Sequence, residues 1–264
     1  MEKVKNLCII QARYGSTRLP GKVLLPLGGK TVIEQVISRV KQAKKIDHRQ
    51  GGTGKIILAT TTRKEDDALE QICLRAGIDC FRGSEEDVLD RYYQAAKKFK
   101  AKNIIRVTGD CPLIDPEIID KVIDIYEENG VDYATNVIPP TFPDGLDAEI
   151  FSFAALEKAW RETKMASQRE HVTVYLWQNP GIFRQKHLNN KIDLSAHRWV
   201  LDNPEDYEFM KQVYVKLYPA KPNFRLTDLL GFFADNPEIE KINNMINRNE
   251  GLKKSIREDK IIDK

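Results

Sequence analysis

Cysteine and histidine, on which disulfide-linked and zinc-binding proteins depend, are scarce in this sequence. The 264 residues include four cysteines and four histidines. The cysteines, Cys8, Cys73, Cys80 and Cys111, show no Cys-x-x-Cys spacing, and three of them lie within or beside apolar segments. This pattern argues against a zinc site or a disulfide framework and favours reduced thiols in the core. Cys111 has no histidine near it in the sequence, so we do not assign it as a nucleophile.

The sequence also lacks an excess of one charge and any long apolar run. Lysine and arginine total 42 and aspartate and glutamate total 39, and this balance excludes a general nucleic-acid or membrane surface. The charged start of the chain leads into a short apolar run that ends at Gln11, which is typical of neither a signal peptide nor a spanning helix. We therefore expect a cytoplasmic protein that binds neither nucleic acid nor membranes.

Short β-rich segments alternate with helical segments through the first half of the chain. Composition predicts strands over residues 6–11, 55–61, 79–82, 103–107 and 133–136. Apolar residues at spacings of three and four predict helices over residues 32–44, 64–76, 86–100 and 116–129. The alternation predicts an α/β fold with a doubly wound, mostly parallel sheet. Because ligands of such sheets bind beyond the carboxyl ends of the strands, the loops after Gln11 and Val107 should face each other.

The pattern changes after Pro139, where prolines and Gly145 interrupt the alternation. Further strands are predicted over 146–153, 182–188 and 198–201, and further helices over 154–163, 167–178 and 204–217. We expect a single domain over residues 1–264, with an inserted lobe over 139–190 and a helical C-terminal extension over 222–264. No repeat or long linker divides the chain.

The most informative segment runs from Ile9 to Leu25, where an apolar strand leads into a glycine-containing loop with three cations. Gly15 lets the backbone approach an anion closely. Arg13 and Arg18 can each donate paired hydrogen bonds to phosphate oxygens, and Lys22 adds a compact positive charge. The loop therefore indicates a polyphosphate site. The alternative is a basic surface loop.

Two aspartates follow predicted strands and can hold a metal ion. Asp110 lies at the end of the strand that includes Val107, and Asp202 lies where a short apolar segment gives way to a helix. Mg²⁺ is commonly held by one or two carboxylates together with substrate phosphates, so these residues predict a Mg²⁺ site. The alternatives are a turn aspartate at 110 and a helix cap at 202.

These motifs occur in the order found in sugar cytidylyltransferases, which the chain resembles. The resemblance extends over residues 6–217 and is carried by the cationic loop, by Gly109-Asp110-x-Pro112-Leu113, by Phe151-Ser152-Phe153 with Leu156, and by Leu201-Asp202-x-Pro204-Glu205-Asp206. The family includes the enzymes that activate acylneuraminate and ketodeoxyoctonate with CMP. The motifs most resemble those of the spore-coat polysaccharide biosynthesis protein F branch, which shares Glu86-Asp87-Val88-Leu89-Asp90-Arg91-Tyr92.

The resemblance implies a nucleotide-diphospho-sugar transferase type of fold and a CTP site. It assigns CTP binding to Ala12, Arg13, Gly15, Ser16, Arg18, Lys22, Arg91 and Gly109. Asp110 and Asp202 would hold Mg²⁺, and Arg13 and Lys22 would act with them in catalysis. For Arg91, a solvated charge on a helix explains the residue equally well.

The acceptor side of the site is less well matched. The candidates for the sugar pocket are Asp147, Glu149, Arg169, Glu170 and His171, although a charged amphipathic helix explains residues 169–171 nearly as well. Ketodeoxyoctonate enzymes have a glutamine two residues before the Gly-Asp pair, where this chain has Val107. The resemblance also implies a homodimer formed through residues 145–188.

The activity expected from this resemblance is transfer of CMP from CTP to an acidic sugar, a nonulosonic or ketodeoxy acid, with release of pyrophosphate. The product would serve a cell-surface or spore-coat polysaccharide. The alternatives are nucleotidyl transfer with another nucleotide or a sugar phosphate, a metal-dependent glycosyltransferase, and a non-catalytic nucleotide sensor.

Overall fold

The computed structural model describes residues 3–49 and 52–262. Its strands are β1 (Val4–Gln11), β2 (Pro26–Leu27), β3 (Lys30–Thr31), β4 (Lys55–Thr61), β5 (Asp79–Gly83), β6 (Ala101–Thr108), β7 (Tyr133–Thr135), β8 (Glu149–Ser152) and β9 (Gln185–His187). Its helices are α1 (Val32–Val40), α2 (Asp67–Ala76), α3 (Val88–Lys98), α4 (Pro116–Asn129), α5 (Phe153–Glu162), α6 (Ala166–Glu170), α7 (Val174–Gln178), α8 (Pro204–Lys216), α9 (Leu226–Asp235), α10 (Pro237–Glu240) and α11 (Glu250–Arg257).

Within the described residues, seven strands form the central sheet in the order β5-β4-β1-β6-β8-β7-β9. Only β8 runs antiparallel to its neighbours in this sheet, which confirms the predicted mostly parallel α/β fold. Gln11 at the end of β1 lies beside Thr108 at the end of β6. The loops that follow these two strands therefore leave the sheet side by side, as predicted.

Local sequence explains why the elements around this crevice begin and end where they do. Residues 7–10 of β1 are completely buried, as expected for a central parallel strand covered on both faces. Helix α4 begins after Asp115, whose carboxylate accepts the Glu117 N–H at 2.9 Å, and Pro116 occupies its first turn. It ends before Gly130, which adopts the left-handed conformation. The predicted bounds of this helix are confirmed.

Two predicted elements are wrong. Residues 198–201 do not form a strand of the sheet, because their backbone pairs with loops: the Trp199 N–H donates to the Asp144 carbonyl at 2.7 Å and the Leu201 N–H donates to the Asp110 carbonyl at 2.9 Å. The helix predicted over 167–178 is divided into α6 and α7. Val172 adopts a positive φ of 56° between them, which a continuous helix does not allow.

The second half of the chain adds to the central sheet and then packs beside it. Strands β8 and β9, from the region predicted as an inserted lobe, are part of the seven-stranded sheet. The bounds of that lobe therefore stay a prediction. The buried residues of α8, α9 and α10 form a cluster with Trp199 and Leu201 and so support the segment that carries Asp202.

The four cysteines are free, and Cys8, Cys73 and Cys111 are buried, in agreement with core thiols. Among the described helices, none is long and apolar enough to cross a bilayer.

Candidate active site

A cavity of about 710 Å³ opens at the ends of β1 and β6. Seven of the residues assigned to CTP line it: Ala12, Arg13, Gly15, Ser16, Arg18, Lys22 and Arg91. Gly109 has a different position, because its N–H donates to the Gln11 carbonyl at 2.8 Å and a Cβ there would lie only 2.8 Å from that of Ala12. Gly109 thus lets the two loops approach each other.

The loop after β1 is held in place by hydrogen bonds to its backbone. The Tyr14 N–H donates to the carboxylate of the buried Asp66 at 2.6 Å, and the Gly21 N–H donates to the Tyr14 carbonyl at 3.0 Å. Gly21 has a φ of 69°, and a Cβ there would lie 2.9 Å from the Tyr14 ring. A glycine is therefore needed for the turn that places Lys22 in the cavity wall.

Lys22 is the centre of the charge cluster. Its Nζ lies 2.6 Å from Asp110 Oδ2, 2.7 Å from Asp202 Oδ1 and 2.8 Å from the Leu201 carbonyl oxygen. Burial alone would lower the pKa of Lys22, but the two carboxylates outweigh it and raise the pKa above its ordinary value. Burial favours a higher pKa for Asp110, but the Lys22 charge outweighs it and lowers that pKa. Lys22 and Asp110 are therefore both charged at neutral pH.

Asp202 is positioned by the buried ion pair of Arg198 with Asp206. The Arg198 guanidinium makes two hydrogen bonds of 2.8 Å to Asp206, and Asp206 accepts the N–H groups of Asp202 and Asn203 at 2.9 Å each. The second carboxylate oxygen of Asp202 lies 2.9 Å from Arg18. Asn203, rather than Asp202, caps α8. The Asp202 side chain is therefore not used as the helix cap.

The donor set around Lys22 fits a hard divalent cation. Asp110, Asp202 and the Leu201 carbonyl all direct an oxygen at the same point, which the Lys22 ammonium occupies. Oxygen ligands of this kind suit Mg²⁺. No cluster of three His, Cys, Asp or Glu side chains that could hold a metal is found in residues 3–49 and 52–262. A cation here would thus depend on substrate or water oxygens for the rest of its ligands.

Arg91 supplies an unpaired positive charge to the same cavity. It is 1% exposed, and its Nε and one terminal nitrogen have no hydrogen-bond partner among the residues that the structure describes. Burial lowers its pKa, and Arg13 nearby lowers it further. A buried guanidinium with free donors is unfavourable unless an anion completes its hydrogen bonds. The arrangement thus favours the nucleotide-binding interpretation of Arg91 over a solvated charge. We call this wall, with residues 12–22, the nucleotide half of the cavity.

Three of the five sugar candidates line the same cavity, namely Asp147, Glu170 and His171. Burial raises the pKa of Asp147, although Arg248 opposes it, and burial lowers the pKa of His171. With Asp144, which also lines the cavity, these residues form what we call the acceptor half.

The other two sugar candidates, Glu149 and Arg169, are bound to internal partners. Glu149 is 3% exposed and accepts hydrogen bonds from Arg106 at 2.6 Å and Tyr133 at 2.5 Å. Arg169 pairs with Asp87, the residue that caps α3, and donates to the Trp160 carbonyl. The structure therefore favours a structural role over sugar binding for both residues, because their charged groups already have partners within the protein.

Several residues of the cavity were not found from the sequence. Asp144 precedes Gly145 and could be interpreted only as part of a turn, and Arg106 lies inside β6 without a distinguishing motif. Residues 249–252 and 254, 255 and 258, from the C-terminal region, also line the cavity. Their polar, helical sequence carries no signal of contact with a site whose cationic loop lies more than 200 residues earlier.

Cys111 lines the cavity but is not suited to act as a nucleophile. Burial raises the pKa of its thiol well above the ordinary value, and the Thr108 hydroxyl lies 3.1 Å from its sulfur. The thiol is therefore protonated at neutral pH, whereas a cysteine nucleophile reacts as the thiolate.

Comparison with known proteins places this site in a family. The sequence model described as Cytidylyltransferase matches residues 7–241. The spore coat polysaccharide biosynthesis protein SpsF of Bacillus subtilis is 36% identical over 235 residues, which cover 88% of this chain and 95% of that protein. A 3-deoxy-manno-octulosonate cytidylyltransferase of Elusimicrobium minutum is 34% identical over 144 residues, which cover 53% of this chain and 54% of that enzyme.

Among solved structures, a cytidylyltransferase from Leptospira borgpetersenii superposes with a TM-score of 0.82 at 36% identity. The match covers 89% of this chain and 96% of that one. The family match spans β1, β6 and the segment of Asp202, and so includes the cationic loop and both aspartates. The chain therefore belongs to the cytidylyltransferase family.

Proposed function

We propose that this protein transfers CMP from CTP to an acidic sugar, a nonulosonic or ketodeoxy acid, and releases pyrophosphate. The observation that carries the proposal is the convergence of Lys22, Asp110 and Asp202 at one point, beside a wall with an unpaired buried Arg91. A triphosphate and a divalent cation together would satisfy both groups of charges. The match to the cytidylyltransferase family supports the choice of CTP, and similarity to the octulosonate cytidylyltransferase supports the choice of an acid.

The residues of the nucleotide half would bind and orient the triphosphate. Arg13 and Arg18 are exposed on the cavity wall, where their guanidinium groups can donate to phosphate oxygens. Gly15 leaves open space, since among the described residues a Cβ there would meet only Glu85, at 3.7 Å. The backbone can therefore lie close to an anion. Fixed donors of this kind stabilise charge that develops on the departing pyrophosphate.

Asp110 and Asp202 are the residues that would hold Mg²⁺. When bound, this ion would neutralise phosphate charge and orient the α-phosphate toward the acceptor hydroxyl. Arg198 and Asp206 keep the Asp202 carboxylate directed into the cavity through the Asp202 N–H. The acceptor half would position the acceptor, with Asp147 and Glu170 accepting hydrogen bonds from its hydroxyl groups.

Pyrophosphate release tests the proposal directly. Purified protein with Mg²⁺ is incubated with each of CTP, UTP, GTP and ATP, and with 3-deoxy-manno-octulosonate, N-acetylneuraminate or a sugar 1-phosphate. We expect release with CTP and at least one of the two acids. Pyrophosphate release with another nucleotide, or only with the sugar phosphate, would instead support nucleotidyl transfer from a different nucleotide or to a sugar phosphate. Absence of release in every combination would refute the proposal.

We also propose that the chain forms a homodimer through residues 145–188. Strand β9 is at an edge of the sheet in this region, and Ile182 beside it is 47% exposed. Light scattering after gel filtration gives the mass, and Ile182→Glu should convert a dimer to monomers. A monomeric wild-type protein would contradict the proposal.

A further inference from the structure

We propose that residues 248–262, which we call the strap, close the acceptor half of the cavity and that Arg248 is a positioning residue that fastens the strap and orients Asp147 for an acidic acceptor. The inference rests on the proposed function of this site. The strap lies outside the family match, which ends at residue 241. The family resemblance therefore says nothing about its role, which its contacts in the structure indicate.

The strap begins with a bridge between Arg248 and the loop before β8. The Arg248 guanidinium donates to the Phe142 carbonyl at 2.8 Å and to Asp147 Oδ1 at 2.9 Å, and its Nε lies 3.9 Å from Asp144 Oδ1. Its side chain is 13% exposed. One guanidinium thus compensates two carboxylates of the acceptor half. Asn249 follows with a positive φ of 60°, a turn from which α11 starts.

Helix α11 then crosses the cavity. Gly251, Leu252 and Lys254 line it, and a Cβ on Gly251 would lie 4.0 Å from the Arg18 guanidinium on the nucleotide half. The Ser255 hydroxyl lies 3.0 Å from His171 Nε2 and donates to Glu170 Oε2 at 2.9 Å. With the contact of Arg248 to Asp147, the strap therefore contacts all three sugar candidates that line the cavity.

The far end of the strap is fastened to the segment around α6. Asp259 accepts the Ser167 N–H at 2.9 Å and its hydroxyl at 2.5 Å. The Ala166 N–H donates to the Lys260 carbonyl at 2.8 Å, and the Ile262 N–H donates to the Lys164 carbonyl at 2.7 Å.

Between its fastened ends, α11 contains no buried residue. Its place is therefore determined by polar contacts rather than by a hydrophobic core. Hydrogen bonds of this kind each contribute little net stability, so the strap can open and close at low cost. An element that adds so little to the core, and yet covers a cavity of charged residues, is suited to retaining a substrate.

Binding of an acidic acceptor would depend on Arg248 because of the negative charge of Asp147. Without the guanidinium, Asp147 would present an uncompensated carboxylate to the carboxylate of the sugar, and the two would repel each other. With the guanidinium in place, the charge of the Asp147 carboxylate is compensated, and the carboxylate can accept a hydrogen bond from a sugar hydroxyl. Lys254 on the strap adds a cation on the same cavity.

The kinetic test uses Arg248→Gln with CTP and whichever of 3-deoxy-manno-octulosonate and N-acetylneuraminate supports pyrophosphate release. We expect the KM for the acid to rise by about tenfold or more, as for loss of a hydrogen bond to a charged group. The KM for CTP should stay within about twofold, since Arg248 does not contact the nucleotide half. Arg248→Lys keeps the charge and should recover part of the affinity. Equal increases in both KM values, or no change in either, would overturn the inference.

Arg257→Gln is the matched control, because it removes the same charge from the end of α11. Its side chain is 76% exposed and is paired only at 3.5 Å with Glu258, within the described residues. This variant should leave both KM values unchanged.

Limited trypsin digestion tests the strap without any acceptor. Lys253 and Lys254 lie in α11, so release of the strap should speed cleavage there. We expect Arg248→Gln to be cut at these sites at least about tenfold faster than Arg257→Gln. Equal cleavage rates in the two variants would overturn the inference that Arg248 fastens the strap. If wild-type protein releases no pyrophosphate in any combination, the proposed function fails, and the digestion still decides whether Arg248 fastens the strap.

Discussion

The two halves of the cavity are built in different ways. The nucleotide half is mostly one continuous loop, residues 12–22, held by the hydrogen bonds of the Ala12 N–H to the Ala59 carbonyl of β4 and of the Tyr14 N–H to Asp66. The acceptor half is assembled from the loop before β8, from the end of α6 and from the strap, which lie far apart in the sequence. A family can keep the first as a unit, whereas each part of the second can change independently.

Their charges are also arranged differently. In the nucleotide half Arg91 is buried with unsatisfied donors, and Arg13 is exposed toward the cavity. In the acceptor half Asp147 is already paired with Arg248, and Asp144 with Arg198. In the proposed function, the first half would therefore attract a highly charged ligand, whereas the second would select a ligand by hydrogen bonding and fit. Asp110 and Asp202 lie where the two halves meet.

Removing a carboxylate at this junction should have the largest effect, because it disables both halves together. In Asp110→Asn we expect pyrophosphate release to fall by at least about 10²-fold, as when one fixed transition-state contact is lost. The comparable change Asp235→Asn, at an exposed position in α9, should leave the rate unchanged. Unchanged turnover in Asp110→Asn with retained folding would contradict a ligand role. Circular dichroism of both variants checks the fold.

Lys22→Met tests whether the ammonium occupies the place of a cation. Without a divalent ion, two carboxylates lose their shared partner, and we expect the free energy of unfolding to fall by about 3 kcal/mol. Mn²⁺ or Mg²⁺ should bind more tightly than to wild-type protein and restore most of the loss, as calorimetry and thermal unfolding can measure. Lys30→Met, at the exposed residue of β3, is the control. Weaker ion binding in Lys22→Met would show that the carboxylates do not form a cation site.

The difference between the halves also explains what the sequence could reveal. The cationic loop and Asp110 follow strands whose parallel arrangement is determined by the alternating pattern, so their meeting at one edge could be predicted. Asp202 was also expected there, although its supporting segment was wrongly interpreted as a strand. That segment resembles a strand because Trp199, Val200 and Leu201 are apolar. Trp199 and Leu201 instead pack in the cluster under α8 and α9, whereas Val200 packs in a separate core cluster and lines the cavity.

The acceptor half resisted prediction because pairing, rather than residue type, decides which charges face the cavity. Glu149 and Asp147 alternate along one extended segment, yet Glu149 is buried against Arg106 and Tyr133 while Asp147 lines the cavity. The neighbours Arg169 and Glu170 differ in the same way, because Arg169 is paired with Asp87 whereas Glu170 lines the cavity. Arg248 lies about 100 residues from its partners, and no local pattern in the sequence connects them.

Arg91→Met should sharpen the contrast, because stability and binding are expected to change in opposite directions. Methionine removes a buried charge that has unsatisfied donors, so the ligand-free protein should melt at a higher temperature. CTP should bind about tenfold more weakly, as for loss of a hydrogen bond to a charged group. Thermal unfolding and calorimetry with CTP measure the two effects. Lower stability together with unchanged CTP affinity would mean that Arg91 is structural.

The last prediction concerns the pH dependence of stability through Asp144, in the acceptor half. Burial, followed by the charge of Asp147, raises the pKa of Asp144 from 3.8 to about 7, although Arg248 and Arg198 oppose the shift. The folded protein therefore binds this proton more tightly than the unfolded chain does. The resulting stabilisation is complete below about pH 4 and is lost as the pH rises to about 7. Asp144→Asn lacks this contribution to the pH dependence of the free energy of unfolding. Its melting temperatures measured from pH 5 to 8 should therefore depend less on pH than those of wild-type protein. Asp235→Asn should retain the wild-type slope, and a constant offset between Asp144→Asn and wild type would show that Asp144 does not titrate in this range.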